Sequence, residues 1–176
     1  GIVFNGDLTG VPVIDIWEDF QCPVCARFEQ TNGDYIEKLI EEKKAKVVFH
    51  TLSFLGPESV LAANAAACSS DENKFLGFHK AFYANLPAEN SGAVTADYLV
   101  ALGQGVGITS DKFKSCVANL DYNGWVNNVA ASGGEANVNS TPTVFVNGKE
   151  IRRGTSGADL GDYFDPAAFA RAVEGK

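Results

Sequence analysis

Apolar and polar positions alternate along Val11 to Trp17, VPVIDIW, placing Ile14 and Ile16 on one face of an extended chain and Val13, Asp15 and Trp17 on the other. The run predicts a central strand. From Cys22 the period becomes helical: Pro23 suits a first turn, and Ala26, Phe28 and Glu29 are compatible with helix. The Asn32-Gly33 pair is expected to interrupt or kink that helix. Tyr35, Ile36, Leu39 and Ile40 resume the pattern, which stops in the charged, solvated end Glu41 to Lys44. A second β-rich run, AKVVFHTLSF from Ala45 to Phe54, completes a strand-helix-strand unit and implies two parallel strands in one sheet.

The next stretch, Pro57 to Tyr122, has little strand character. Leu61, Ala65 and Cys68 share one helical face, Phe75, Phe78, His79 and Phe82 a second, Tyr98, Leu99 and Leu102 a third, and Phe113, Cys116, Val117 and Leu120 a fourth. Ser110 and Asp111 are caps for the fourth helix, while Pro87 and Gly103 to Gly107 mark breaks. Another helical stretch, Tyr122 to Asn137, leads into TVFV, Thr143 to Val146. Asn147-Gly148 then precedes Lys149 to Arg152, and Asn-Gly between two such runs signals a hairpin. Asp165 caps a last helix with Pro166 at its first position and Phe169, Ala172 and Val173 facing inward. The order divides the chain into residues 1–56 and 121–176, an α/β domain, and 57–120, an inserted helical domain.

A length of 176 residues with 45% hydrophobic content suits one globular unit. A net charge of -8 argues against a phosphate-binding surface, which excludes nucleic acid as an expected partner. No apolar run approaches the roughly 20 residues that span a bilayer, so a soluble chain is expected. The start, GIVFNGDLTG, lacks the regions of a signal peptide, and the sequence contains no Met. It reads as a processed or trimmed product whose targeting segment, if any, is out of view.

Two cysteines separated by two residues, in WEDFQCPVCARFEQ, can be a metal half-site, a structural pair or a redox couple. Zinc needs a second half-site, and Cys68, Cys116, His50 and His79 are isolated, so no metal is expected. A strand feeding a helix N-terminus favours thiolate chemistry, because unpaired N–H groups and the helix dipole stabilise an anion there. Cys22 is the expected nucleophile, partly exposed with a depressed pKa, and Cys25, one turn in and more buried, the resolving thiol. His50 and His79 read as satisfied boundary or core histidines, with no matching acid, base or metal constellation. Arg152 and Arg153 read as surface charges that could touch a partner.

The stretches EDFQCPVC (Glu18 to Cys25), TPTVFVNG (Thr141 to Gly148) and AANAAAC with KFLGFHKAFY (Ala62 to Tyr83) give the sequence a wider likeness. Together with the element order over nearly the whole chain, they resemble DsbA-like thiol-disulfide oxidoreductases of the thioredoxin superfamily. The likeness is greatest to the secreted or envelope-anchored enzymes of actinobacteria. The resemblance implies a thioredoxin fold, a central mixed sheet flanked by helices, with an inserted helical domain. It also implies a cis bond before Pro142, which would lie beside the cysteines with Thr141 offering its backbone to an extended substrate. A trans Pro142 that merely starts an edge strand is the alternative. By the same resemblance Cys68 and Cys116 form a structural disulfide; two buried free thiols are the other reading.

Two departures from the family pattern bear on chemistry. The family's buried acid, six residues before the nucleophile, falls here on Ile16, leaving Asp15, Glu18 and Asp19 as candidates for proton transfer. Where the family's type member has a His between proline and the second cysteine, this chain has Val24, which implies a milder oxidant. The expected function is extracytoplasmic donation of the Cys22-Cys25 disulfide to unfolded or reduced secreted proteins, by a monomer with no cofactor beyond that disulfide. Pro23, Val24, Thr141 and Pro142 would support the site, and reoxidation by a membrane quinone-linked partner is what the resemblance implies. An isomerase or reductase of the same fold is the nearest alternative, and a thioredoxin-fold metal carrier or peptide-binding module the next.

Overall fold

The computed structural model describes residues 1–175. Its centre is a five-stranded mixed sheet in the order β1 (Ile2–Phe4), β3 (Lys46–Leu52), β2 (Val13–Asp19), β4 (Thr143–Val146), β5 (Lys149–Glu150). β2 runs parallel to β3, with Val13 opposite Lys46 and Asp19 opposite Leu52, and antiparallel to β4, with Trp17 opposite Thr143. The expected strand-helix-strand unit is therefore present. Ile14 and Ile16 are fully buried, as the alternation predicts. The strand runs on to Glu18 and Asp19, which pair with Thr51 and Leu52, and so carries two acids into the interior.

Helix α1 (Pro23–Glu41) connects β2 to β3 without interruption, so the expected break at Asn32-Gly33 does not occur. An interior glycine costs roughly 1 kcal/mol of helix propensity. Burial of Phe28, Ile36, Leu39 and Ile40 on one face offsets it, and the fully buried Asn32 donates to the Tyr163 carbonyl at 2.8 Å. A residue that reads as a turn former is here a tether to the chain's C-terminal region.

Four helices follow β3: α2 (Pro57–Asp71), α3 (Phe75–Ala84), α4 (Ala96–Gly105) and α5 (Asp111–Asn119). Helix α2 is buried nearly all round through Ala62, Ala63, Ala65, Ala66 and Ala67, small residues that let the neighbouring helices approach. Ser110 caps α5 by accepting from the Phe113 amide, and Asp111 is the first helical residue. A Cys68–Cys116 disulfide joins α2 to α5. One cluster of buried side chains runs from Ile14 and Val47 in the sheet to Phe78, Phe82 and Phe113 in the helices.

After α6 (Asn123–Glu135), β4 and β5 form the expected hairpin, with Asn147 and Gly148 at φ 51° and 78°, the paired positive values of a type I′ turn. A small second sheet, β6 (Arg153–Ser156) with β7 (Asp159–Gly161), then precedes α7 (Pro166–Glu174). Asp165 caps α7 by accepting from the Ala167 and Ala168 amides. Neither β1 nor the second sheet is anticipated above. Three residues are too few to show a period, and β6 is polar and exposed, held by Asp159, which takes hydrogen bonds from Arg152 and Thr155.

The loop closed by Cys68 and Cys116 has a sequence separation of 48, for which chain entropy alone stabilises the fold by about 4 kcal/mol. A Cys68→Ala, Cys116→Ala variant should therefore unfold at markedly lower urea concentration by circular dichroism. An unchanged midpoint would mean that packing alone holds α2 and α5 together.

Candidate redox site

Cys22 is the N-cap of α1, and its amide donates to the Asp19 carbonyl at 2.9 Å, closing the turn that β2 makes into the helix. Pro23, the first helical residue, lacks the N–H that would otherwise go unpaired there. Three donors fix this turn through the Asp19 carboxylate: the Gln21 amide at 3.0 Å, the Leu55 amide at 3.1 Å and the Ser59 hydroxyl at 2.6 Å. Gln21 in turn reaches Ser59 and accepts from the Asn90 amide, so the turn is anchored to the helical block. Of the three candidate acids, Asp19 is thus structural. Asp15 is remote in role, bonded to His50 at 2.9 Å, where His50 stacks on Trp17.

The Thr141-Pro142 bond is cis. The pairing of β4 with β2 brings the preceding loop to the cysteines, with the Cys22 sulfur 3.5 Å from the Thr141 carbonyl. Arg153 is a surface charge, as expected, and also ties this loop down. It donates to Thr143 Oγ1 at 2.9 Å and to the Pro142 carbonyl at 3.3 Å, and lies over the Tyr163 ring. Arg152 pairs with Asp159 and stays at the surface.

Both cysteines are free thiols, and their environments differ in sign. The Cys22 pKa is lowered to about 6, first by the hydrogen bond from the Cys25 thiol, then by the Thr141 side chain and the Cys25 and Val24 amides, which together outweigh burial. Burial pushes the Cys25 thiol up, aided by its bond to Cys22 and the Glu18 charge. Cys22 is only 7% exposed, a correction to the expected partial exposure, while Val24 beside it is 48% exposed. Cys25 is fully buried, as expected.

Glu18 points with Ile14 and Ile16 to the core face and is 4% exposed. Its Oε2 lies 2.9 Å from His79 Nε2, and His79 Nδ1 lies 3.8 Å from Glu29 Oε2. The His79 reading above is therefore incomplete: the ring sits between two buried carboxyls. Glu29 figures above only as a residue compatible with helix, although a glutamate four residues after Cys25 on a buried helix face is a legible signal. Desolvation raises Glu18 to about 8, pushes Glu29 well above the usual carboxylate range, and holds His79 below its ordinary value, which keeps the ring neutral. This is the metal-ligand-type cluster found among the described residues, and it includes neither thiol.

The chain belongs to the thioredoxin family, whose sequence profile matches residues 2–165. Its structural neighbours are DsbA-type thiol-disulfide oxidoreductases. The reduced DsbA of Mycobacterium tuberculosis superposes with a TM-score of 0.76 at 28% identity, over 93% of this chain and 81% of that one. MdbA of Actinomyces oris, a thiol-disulfide oxidoreductase, gives 0.80 at 26% identity, over 99% and 87%. The serine/threonine-protein kinase PknE of Mycobacterium tuberculosis is 26% identical over 185 residues, covering 97% of this chain, which spans 31% of the kinase's length.

The ranking of causes at Cys22 makes a testable order. Titrating thiolate ultraviolet absorbance should place the reduced protein's first transition near pH 6. Thr141→Val should raise it by about one unit, the value of one hydrogen bond, and Cys25→Ala by more. Equal shifts would overturn that order, and absent shifts would mean that the helix terminus alone depresses the pKa.

Proposed function

We infer that the chain is an extracytoplasmic protein thiol-disulfide oxidoreductase that donates its Cys22-Cys25 disulfide to reduced, unfolded proteins. The observation that carries this reading is the opposed titration of the two thiols beside the cis-proline loop. A substrate thiolate attacks Cys22 of the oxidised form, the S–S bond breaks, and Cys25 takes the electron pair and a proton. A second substrate thiolate then attacks the substrate sulfur of the mixed disulfide, releasing Cys22 as a thiolate and the substrate as a disulfide. No cofactor is needed, since the electrons enter the protein's own cysteines.

A stabilised Cys22 thiolate favours the reduced form and so makes the oxidised form a donor. With a folded pKa of about 6 against an ordinary 9.0, the gain is complete above pH 9 and disappears as pH falls through 6. At pH 7 it amounts to about 1.4 kcal/mol, or about 30 mV toward a stronger oxidant. Low substrate selectivity follows from backbone pairing at Thr141 combined with unspecialised apolar surface. That surface includes exposed Val24 and Phe54 and a cleft of about 280 Å³ between Leu52 to Phe54 and the α6 end, Gly133 to Asn139.

The Cys68–Cys116 disulfide supports an oxidising compartment. No described helix is long and apolar enough to cross a membrane. Likeness to DsbA-type enzymes supports reoxidation by a membrane-bound, quinone-linked partner, with the protein acting as a monomer.

The test is trapping. Mixed with a reduced unfolded protein, a Cys25→Ser variant activated at Cys22 as a mixed disulfide should pass Cys22 into a stable disulfide-linked complex. Cys22→Ser should form none and lose oxidase activity entirely. Oxidase activity surviving in Cys22→Ser would overturn the assignment. Faster rescue of scrambled than of reduced substrate would favour an isomerase.

A further inference from the structure

Glu18 on β2, Glu29 on α1 and His79 on α3 meet in the interior, with one donor atom from each lying within 4.8 Å of the others. Their side chains are 4%, 10% and 5% exposed, so all three are held in the core. Among the described residues only four buried side-chain polar atoms lack a hydrogen-bond partner, and two of them, Glu18 Oε1 and Glu29 Oε1, belong to this one cluster. Such atoms are costly to leave unpaired.

No lysine or arginine of the described residues pairs with either carboxyl. Lys80, the neighbour of His79 on α3, is taken up by Asp34 and Glu37 instead. What two buried carboxyls and a neutral imidazole lack is a cation, because buried charge in proteins is either paired or bound to a metal. The donors decide which cation fits. Two carboxylate oxygens and one imidazole nitrogen, with a fourth position left to water, are a zinc ligand set of the open kind.

The geometry agrees with that choice. Donors about 2.0–2.2 Å from one zinc ion stand roughly 3.3–3.6 Å apart in a tetrahedron. His79 Nε2 is already 2.9 Å from Glu18 Oε2, and with no donor pair beyond 4.8 Å, shifts of roughly an ångström give one ion all three. Glu29 also walls an open cavity of about 250 Å³ between α1 and α3, which supplies the way in and the water. Gly33 lines the same cavity, where a Cβ would stand 3.0 Å from Glu29 Oε2, so glycine there keeps that carboxyl within reach.

We propose that Glu18, Glu29 and His79 form a buried zinc site, separate from the redox cysteines, that ties β2, α1 and α3 together. Each carboxylate gives one oxygen and His79 one ring nitrogen. The two negative charges balance the ion's two positive ones, so the core is left neutral. No thiol takes part, and the proposal stands without the oxidoreductase reading above.

The experiment titrates zinc calorimetrically into metal-free oxidised protein, in which both cysteine pairs are disulfides and no thiolate competes. One ion per chain is expected. Glu29→Gln and His79→Gln should each weaken binding by more than about a hundredfold, beyond the ten- to hundredfold that loss of an outer-shell partner costs. Zinc should also raise the melting temperature of the wild type and leave that of Glu29→Gln unmoved. Asp111→Asn, a surface carboxylate on α5, should change neither readout.

Cobalt(II) reads the wild-type protein directly should the variants fail to fold. Bound to the oxidised form, it should show the strong visible bands of a tetrahedral site and no sulfur charge-transfer band. Weakly absorbing, octahedral cobalt would mark a surface carboxylate site and overturn the assignment. So would an absence of binding, binding that survives both ligand variants, or binding lost in Asp34→Asn but kept in Glu29→Gln, which would put the ion at the cavity mouth.

Discussion

The structure depends on holding two thiols, three residues apart, in opposite electrostatic environments. Cys22 stands where a helix begins, with amide groups and the Cys25 thiol directed at its sulfur; Cys25 lies one turn inward, in the dry core. A chain can achieve this only if the turn between strand and helix is rigid, because a shift of one ångström at the helix terminus would trade protein donors for water. That requirement accounts for the Asp19 carboxylate with its three donors, for Gln21 bridging to Ser59 and Asn90, and for the Arg153 clamp on the cis-proline loop.

The helical block is therefore more than an addition to the sheet. Ser59 and Asn90 hold the catalytic turn from one side, while His79 of α3 meets Glu18 from the other. Aromatic rings Phe20, Phe82 and Tyr83 pack between the turn and the block, and Tyr83 donates to the Asp19 carbonyl. Buried acids cost stability unless satisfied, and Glu18 and Glu29 each keep one carboxyl oxygen, Oε1, without a hydrogen-bond partner.

Much of this was legible along the chain. The strand alternation at Ile14 and Ile16, the strand-to-helix step at Cys22, the Asn147-Gly148 turn and the Asp165 cap each carry a local rule that needs no tertiary information. Asn32-Gly33 misled because tertiary burial and the bond to Tyr163 outweigh helix propensity. Strand β1 is too short for periodicity, and β6 and β7 are polar. The acid was harder. Glu18, Glu29 and His79 lie on three elements, 11 and 50 residues apart in sequence, and become one group only through the parallel pairing of β2 and the crossing of α1 by α3.

Thiolate stabilisation at Cys22 would set this couple as a donor of disulfides, and its equilibrium potential against glutathione is the quantity that stabilisation moves. Reference couples run from about -270 mV for thioredoxin to about -120 mV for the strongest DsbA oxidant, whose cysteine titrates near 3.5. A Cys22 pKa of about 6 is some 2.5 units less stabilised at pH 7, roughly 75 mV. The couple should stand at about -200 mV, a weaker oxidant as pH falls toward 6. A value at or below about -270 mV, the range of a reductant, would contradict it.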